Sequence, residues 1–260
     1  RLKNNNIDIK NYINFTKEEK DNNVLSKQDK LISVVNSIHY INDKIYDTVI
    51  VDEIESLLIK YLTDFMQQDT KMLKAKTWSN FIFLLKNAKK VILLDAFITE
   101  KTINLIRCIE HNLDNVILYK RTIEKFTRNV IYHINFKNTL NECIHKIKNG
   151  KKIFIFYPYK NQNTTHLSME NFFNLIKDET GKNGIFYNAD IDDITKNGLN
   201  DVNISWSNMD FVITNNCITC GLNYDNREHD FDSEYIFISS FNSPRDMIQI
   251  SYRCRNLTDN

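Results

Sequence analysis

Two successive carboxylates, Asp52 and Glu53, follow the short β-branched run Thr48-Val-Ile-Val51. Four apolar residues of that kind are too few for a helix and read as a buried strand. Beyond the acids, Ile54, Leu57, Leu58, Tyr61, Leu62 and Phe65 recur at helical spacing. In a parallel α/β sheet, ligands bind where the carboxyl end of a strand turns into a helix. One carboxylate there can hold a divalent metal through water while its neighbour orients a water nucleophile. That is the chemistry of a Walker B element. The same pair is also what the acidic first turn of many helices looks like, because the macrodipole favours negative charge there.

A second group lies near the end of the chain. Gln249 and Arg253 are four residues apart, which places them on one face of a helix predicted over Pro244–Arg253. Arg255 is within reach of the same cleft if that helix ends there. Arginines set against a phosphate ester stabilise the charge that develops in phosphoryl transfer. The ordinary alternative is a solvated Gln and two surface ion-pairing arginines. His229-Asp-Phe-Asp232 contains metal-ligand types, although an acid-rich loop more often caps or is solvated. Cys217-x-x-Cys220 has no second pair and no suitably spaced His for zinc. The five cysteines (108, 143, 217, 220 and 254) therefore read as buried free thiols in a reducing compartment.

The elements that must position these groups alternate between strand and helix. Strands are predicted at 31–35, 48–51, 90–94, 115–119, 130–134, 152–157, 185–188, 211–214 and 235–239. Helices are predicted at 54–68, 71–87, 100–110, 137–149, 167–179 and 244–253. Leu73, Trp78, Phe81, Ile82 and Leu85 form the expected buried face of the second helix. Thr99 fits an N-cap and Pro244 a first helical turn. Such alternation implies α/β architecture, with parallel sheets covered by helices on both faces. The charged segment Lys120–Arg128 has no clear period and divides the chain into expected domains at 1–120 and 121–260.

Composition sets the outer limits. With 260 residues, 42% hydrophobic and 26% charged, the chain can bury a substantial core. A formal net charge of +1 gives no general basic field, so any nucleic-acid contact must use a local groove. No apolar run is long enough to span a membrane and no signal-peptide pattern opens the chain, which implies an intracellular protein without membrane partners. The start at Arg1, without Met, is what an excerpt from a longer protein would show.

Taken in order, the motifs carry a resemblance. They are Val35-Asn-Ser37-Ile-His39, Val51-Asp52-Glu53-Ile-Glu55-Ser56, Leu94-Asp95-Ala96, Trp206…Asp210-Phe-Val-Ile-Thr214, Ile218-Thr219-Cys-Gly221-Leu, Phe231-Asp232, and Arg245-Asp246…Gln249…Arg253-Cys-Arg255-Asn256. From about Lys30 onward the chain resembles the superfamily 2 helicase core of herpesvirus-type replication origin-binding proteins, including those of large DNA viruses. The resemblance implies two RecA-like domains of the P-loop NTPase type in tandem, the first incomplete, and ATP-dependent DNA unwinding with ATP and Mg2+ as cofactors.

In that scheme Asp52 binds magnesium through water and Glu53 positions the attacking water. Gln249, Arg253 and Arg255 reach the triphosphate, and Asp95, Ala96, Thr219 and Gly221 couple the nucleotide to DNA movement. Ser37 and the turn containing Tyr159 and Lys160 contact DNA phosphates, with His39 either near DNA or buried beside its turn. Other replication proteins are further expected partners, acting in the host nucleus or a cytoplasmic viral factory. Tyr157, Tyr159 and Trp206 could stack on bases, although aromatics beside strands more commonly sit in a core, where Trp206 is expected.

No G-x-x-x-x-G-K-[ST] occurs in the sequence. The family places that loop before the Ser37 motif, so it is expected upstream of Arg1, and this chain is not expected to hydrolyse ATP by itself. Two other readings use the same residues. One is a non-catalytic RecA-like module that binds DNA or protein. The other is a metal-dependent nuclease built on Asp52, Glu53 and Glu55, although Glu55 should point elsewhere from its helical position.

Overall fold

The computed structural model describes residues 8–63, 71–110, 112–120, 128–163, 165–188, 190–215, 222–226, 228, 230–240 and 242–259. The chain divides into two compact units, Arg1–Thr122 and Ile123–Asn260. Both are α/β with parallel strand pairing.

The first unit opens with β1 (Lys10–Asn11), α1 (Lys17–Asp21) and β2 (Leu31–Ile32), β1 and β2 pairing in parallel. Residues 33–35 were expected to continue β2, but Val35–Tyr40 instead form a tight helical turn carrying Ser37 and His39. Then follow β3 (Thr48–Val51), α2 (Ile54–Thr63), α3 (Lys71–Asn87), β4 (Lys90–Leu93) and α4 (Glu100–Ile109). The end of the first predicted helix, 64–68, lies outside the described residues. β3 and β4 pair in parallel, Val49 opposite Val91 and Val51 opposite Leu93. One face of this pair joins a core built from Ile54, Leu58, Phe81, Leu84, Leu85 and Leu105. Ile50, on the other face, is 63% exposed, so β3 is buried on one side only, not the fully buried strand its composition implies. Leu73, expected on the inner face of α3, is also exposed.

The second unit holds α5 (Phe136–Lys148), β5 (Ile153–Phe156), α6 (Met169–Thr180), β6 (Gly184–Tyr187), α7 (Asp193–Asn197), α8 (Val202–Ser205), β7 (Phe211–Thr214), β8 (Ser233–Ile236) and α9 (Pro244–Ser251). Its strands form one parallel sheet in the order β6-β7-β5-β8. Both faces are covered. Ile153, Ile155, Phe211 and Ile213 pack against Leu140, Cys143, Phe172 and Ile176. The alternate residues Phe154, Phe156 and Val212 pack against Val202, Trp206, Phe231 and Ile250. This is the continuous apolar strand pattern that a doubly covered parallel sheet requires. Trp206 is fully buried and donates its indole N–H to the Tyr187 hydroxyl at 3.0 Å.

Two expected strands are not formed. The expected strands at 115–119 and 130–134 are rich in β-branched and apolar residues, yet Leu113–Asn115 form a helical turn and neither stretch pairs with a strand among the described residues. Ile117, Leu118, Val130, Ile131 and Ile134 are 68–93% exposed. Strand propensity describes fit to a pleated, half-buried surface, and among the described residues these stretches join no such surface. The cysteines are corrected in part: Cys143 and Cys254 are buried, Cys108 is exposed, and Cys217 and Cys220 lie outside the described residues.

Candidate functional site

The acidic site of the first unit begins where β3 ends. Leu94 N–H donates to the Val51 carbonyl at 2.8 Å and Ile54 N–H to the Leu94 carbonyl at 3.2 Å, so the chain turns hard between them. Asp52 is exposed and accepts the Glu53 amide at 3.1 Å. Glu53 has φ +54°, a left-handed conformation that a non-glycine residue adopts at a cost. The turn thus presents Asp52 at the surface with Glu53 half-buried beside it.

A reciprocal pair of caps holds this turn in place. Asp95 accepts the Glu55 amide at 2.9 Å, satisfying a donor in the first turn of α2, and the Phe97 amide at 2.8 Å. In return the Glu55 carboxylate, 1% exposed, accepts the Thr99 amide at 2.6 Å and the Thr99 and Thr102 hydroxyls at 2.8 and 2.6 Å. A longer bond from the Thr102 amide completes the set at 3.4 Å. Burial by itself would raise the Glu55 carboxyl, but these donors more than offset it and hold the group below the usual range. Thr99 also caps α4 as expected, accepting the Lys101 amide. Ala96 is exposed in the loop between the two caps.

Sequence reasoning set Glu55 aside. It does point away from the surface acids, but it is the group that ties the 52–55 junction to the 95–102 segment. An acid amid the apolar residues that open α2, with two threonines near the start of α4, was the available signal. Because its carboxylate is fully engaged, Glu55 is poorly placed to join Asp52 and Glu53 as a third metal ligand. Asp52 alone offers the exposed carboxylate that a largely hydrated Mg2+ requires. Among the described residues no group of three or more His, Cys, Asp or Glu could hold a metal ion.

Ser37 is half-buried, its amide donating to the Val34 carbonyl at 2.9 Å. His39 packs on Tyr40 at 3.9 Å, and burial pushes its pKa down, so at neutral pH it adds no positive charge there.

In the second unit α9 is started by Ser243 and Asp246, which cap each other's backbone, with Pro244 in the first turn as expected. The helix stops at Ser251, two residues short of the expected end. Arg253 therefore lies beyond the Tyr252 cap and does not continue the helical face of Gln249. Gln249 and Arg253 are nonetheless 8% and 9% exposed, which excludes the reading of both as solvated surface groups. Arg253 donates to the Leu222 carbonyl at 3.0 Å, and its own carbonyl accepts the Tyr224 amide at 2.7 Å. Arg255 is on the surface, 3.9 Å from Asp225. Thr219 and Gly221 fall outside the described residues.

The turn after β5 separates its aromatics. Tyr157 is buried, stacked on Phe172 at 4.1 Å, and belongs to the core. Tyr159 stacks on His166 at 3.7 Å and donates to the Ile238 carbonyl at 3.5 Å. Lys160 pairs with Asp190 at 2.6 Å on the rim of an open groove of about 590 Å³, which Glu170 and Asp192 also line. Glu170, Asp190 and Asp192 make that groove acidic, and the Lys160 ammonium on its rim is paired with one of them.

The class to which this chain belongs is given by its sequence. The family profile described as "Origin of replication binding protein" matches residues 5–174, and the chain is a member of that family, of herpesvirus type. A protein of Acanthamoeba polyphaga mimivirus provisionally named a replication origin-binding protein is 23% identical over 96% of this chain and 31% of its own length. An uncharacterized protein of the same virus, provisionally named helicase R8, is 26% identical over 91% of this chain and 23% of its own length. The chain thus spans about a third or less of these relatives. Among solved structures, a variant of S. cerevisiae Dbp5 bound to RNA and ADP BeF3 aligns with a TM-score of 0.49 at 10% identity, covering 89% of this chain and 64% of that one.

Proposed function

We propose that this chain is the part of a viral replication origin-binding protein in which ATP hydrolysis is coupled to DNA unwinding, its two units being RecA-like helicase domains. The observation that carries the reading is the junction after β3, where Asp52 and Glu53 stand at a strand end fixed to the 95–102 segment by the caps of Asp95 and Glu55. A strained, cross-braced turn bearing two acids is more than an acidic first helical turn needs.

In this reading Asp52 holds Mg2+ through water, and the bound ATP supplies the phosphoryl group. Glu53 orients the attacking water. Gln249, Arg253 and Arg255 stabilise charge developing on the triphosphate. Asp95 and Ala96 sit on the segment braced to the acids, so a change at the nucleotide is felt there first. Thr219 and Gly221 serve the same coupling in the second unit. Ser37, Tyr159 and Lys160 contact the DNA backbone, and His39 shapes the Ser37 turn without lending charge. Backbone contacts suit a motor that must ignore sequence.

The test uses the intact protein. Glu53→Gln is expected to lower DNA-stimulated ATP hydrolysis about 100-fold or more while nucleotide still binds. Hydrolysis at the wild-type rate would overturn the assignment. Arg253→Ala is expected to lower the rate with nucleotide affinity nearly unchanged.

A further inference from the structure

We propose that Arg128 is a positioning residue for Arg253 and Arg255, fastening the backbone that carries both; the proposal rests on the function assigned to those two arginines. Arg128 lies more than 120 residues earlier in the chain, yet its guanidinium donates to the carbonyls of Ser251 and Cys254 and, at 3.4 Å, of Arg255. The same group lies 4.9 Å from the Tyr252 ring centroid. Every residue from 251 to 255 except Arg253 is thus touched by one side chain.

The local sequence explains why an outside group is required. The last carbonyls of a helix have no internal partners, and a positive charge near them is favoured. α9 has no basic residue in its last turn, and its cap is Tyr252 rather than a left-handed glycine. The carbonyls of Ile248, Gln249 and Ile250 are met by the Ser251 hydroxyl and the Tyr252 and Arg253 amides, and Arg128 supplies a donor for the Ser251 carbonyl and the missing charge. From the other side the chain is held by Tyr224, which bridges to Cys254: its amide donates to the Arg253 carbonyl, and its carbonyl accepts the Arg255 amide at 3.0 Å. Residues 253–255 are therefore held between Tyr224 and the Arg128 fork.

Arg128 is itself anchored. Glu234 on β8 accepts from it at 3.0 Å, the two side chains being only 13% and 4% exposed. Burial pushes the Glu234 carboxyl up to about 8 even with this guanidinium beside it, so the contact contributes little net stability compared with apolar packing, but the hydrogen bond fixes geometry. The planar fork can serve a carboxylate and several carbonyls at once, which a lysine ammonium cannot.

The test is Arg128→Lys in the intact protein, alone and combined with Arg253→Ala. The single variant is expected to lower kcat for DNA-stimulated hydrolysis about tenfold with KM for nucleotide nearly unchanged. In the Arg253→Ala background the same change is expected to cost less than in wild type, because only Arg255 is left to be positioned. An unchanged kcat, or an equal loss in both backgrounds, would overturn the proposal. Amide hydrogen exchange gives a reading independent of hydrolysis: Arg128→Lys should speed exchange at Arg253 and Arg255, and unaltered exchange would also overturn it. If wild-type protein shows no DNA-stimulated hydrolysis, or Arg253→Ala matches wild type, the assigned function fails and exchange alone decides the positioning. Should Arg128→Lys fail to fold, Glu234→Gln, which weakens the anchor and leaves Arg128 in place, is expected to give the same pattern in weaker form.

Discussion

A single carboxylate, Glu55, accepts four hydrogen bonds beside the strand-end pair. Removing it leaves two hydroxyls and two amides around Thr99 and Thr102 without their acceptor. Glu55→Ala is expected to destabilise the first unit by about 3 kcal/mol, read as a shift in its denaturation midpoint. Its titration gives a second check with a definite sign. The folded group is held below the usual carboxylate range, so the unfolded chain binds the proton more readily. The contribution is present above the unfolded value and is lost as pH falls through the folded one. Wild type should therefore lose stability on acidification more steeply than Glu55→Gln. No periodicity in the sequence announces this residue. Its role depends on α2 and α4 starting side by side, which only the β3–β4 pairing determines.

At the scale of elements, the sequence was most legible where pattern and burial agree. The limits of β3, α3 and β7 follow directly from their apolar runs, and Thr99, Ser243 and Pro244 mark helix starts. It was least legible at 116–119 and 130–134, where β-branched residues suggested strands that have no partner among the described residues. The early stop of α9 was equally hidden, since neither glycine nor proline marks it and the donor to its last carbonyl, that of Ser251, comes from the distant Arg128. Close packing between elements is also invisible in a pattern. Gly184 on β6 lies against the fully buried ring of Phe211 on β7, and a Cβ there would stand 2.3 Å from the ring. Gly184→Ala is expected to destabilise the second unit by about 2 kcal/mol, with Phe211→Leu relieving part of the loss in a double variant.

For the molecule as a whole, each unit has its own apolar core, and each core draws on residues of one unit alone. The two tryptophans divide likewise, Trp78 in the first and Trp206 in the second. With Trp78→Phe, fluorescence from Trp206 should report one denaturant transition that Glu55→Ala leaves unmoved; a shift would show that the units unfold together. The exposed stretches 116–119 and 130–134 have a practical consequence for handling this chain in solution. They offer bare isoleucine, leucine, valine and tyrosine on a molecule whose formal charge is only +1, so little long-range repulsion keeps copies apart at neutral pH. Light scattering from the isolated 260-residue chain should climb with concentration, and replacing Ile117 and Ile131 by lysine should suppress that climb without changing either unit's melting.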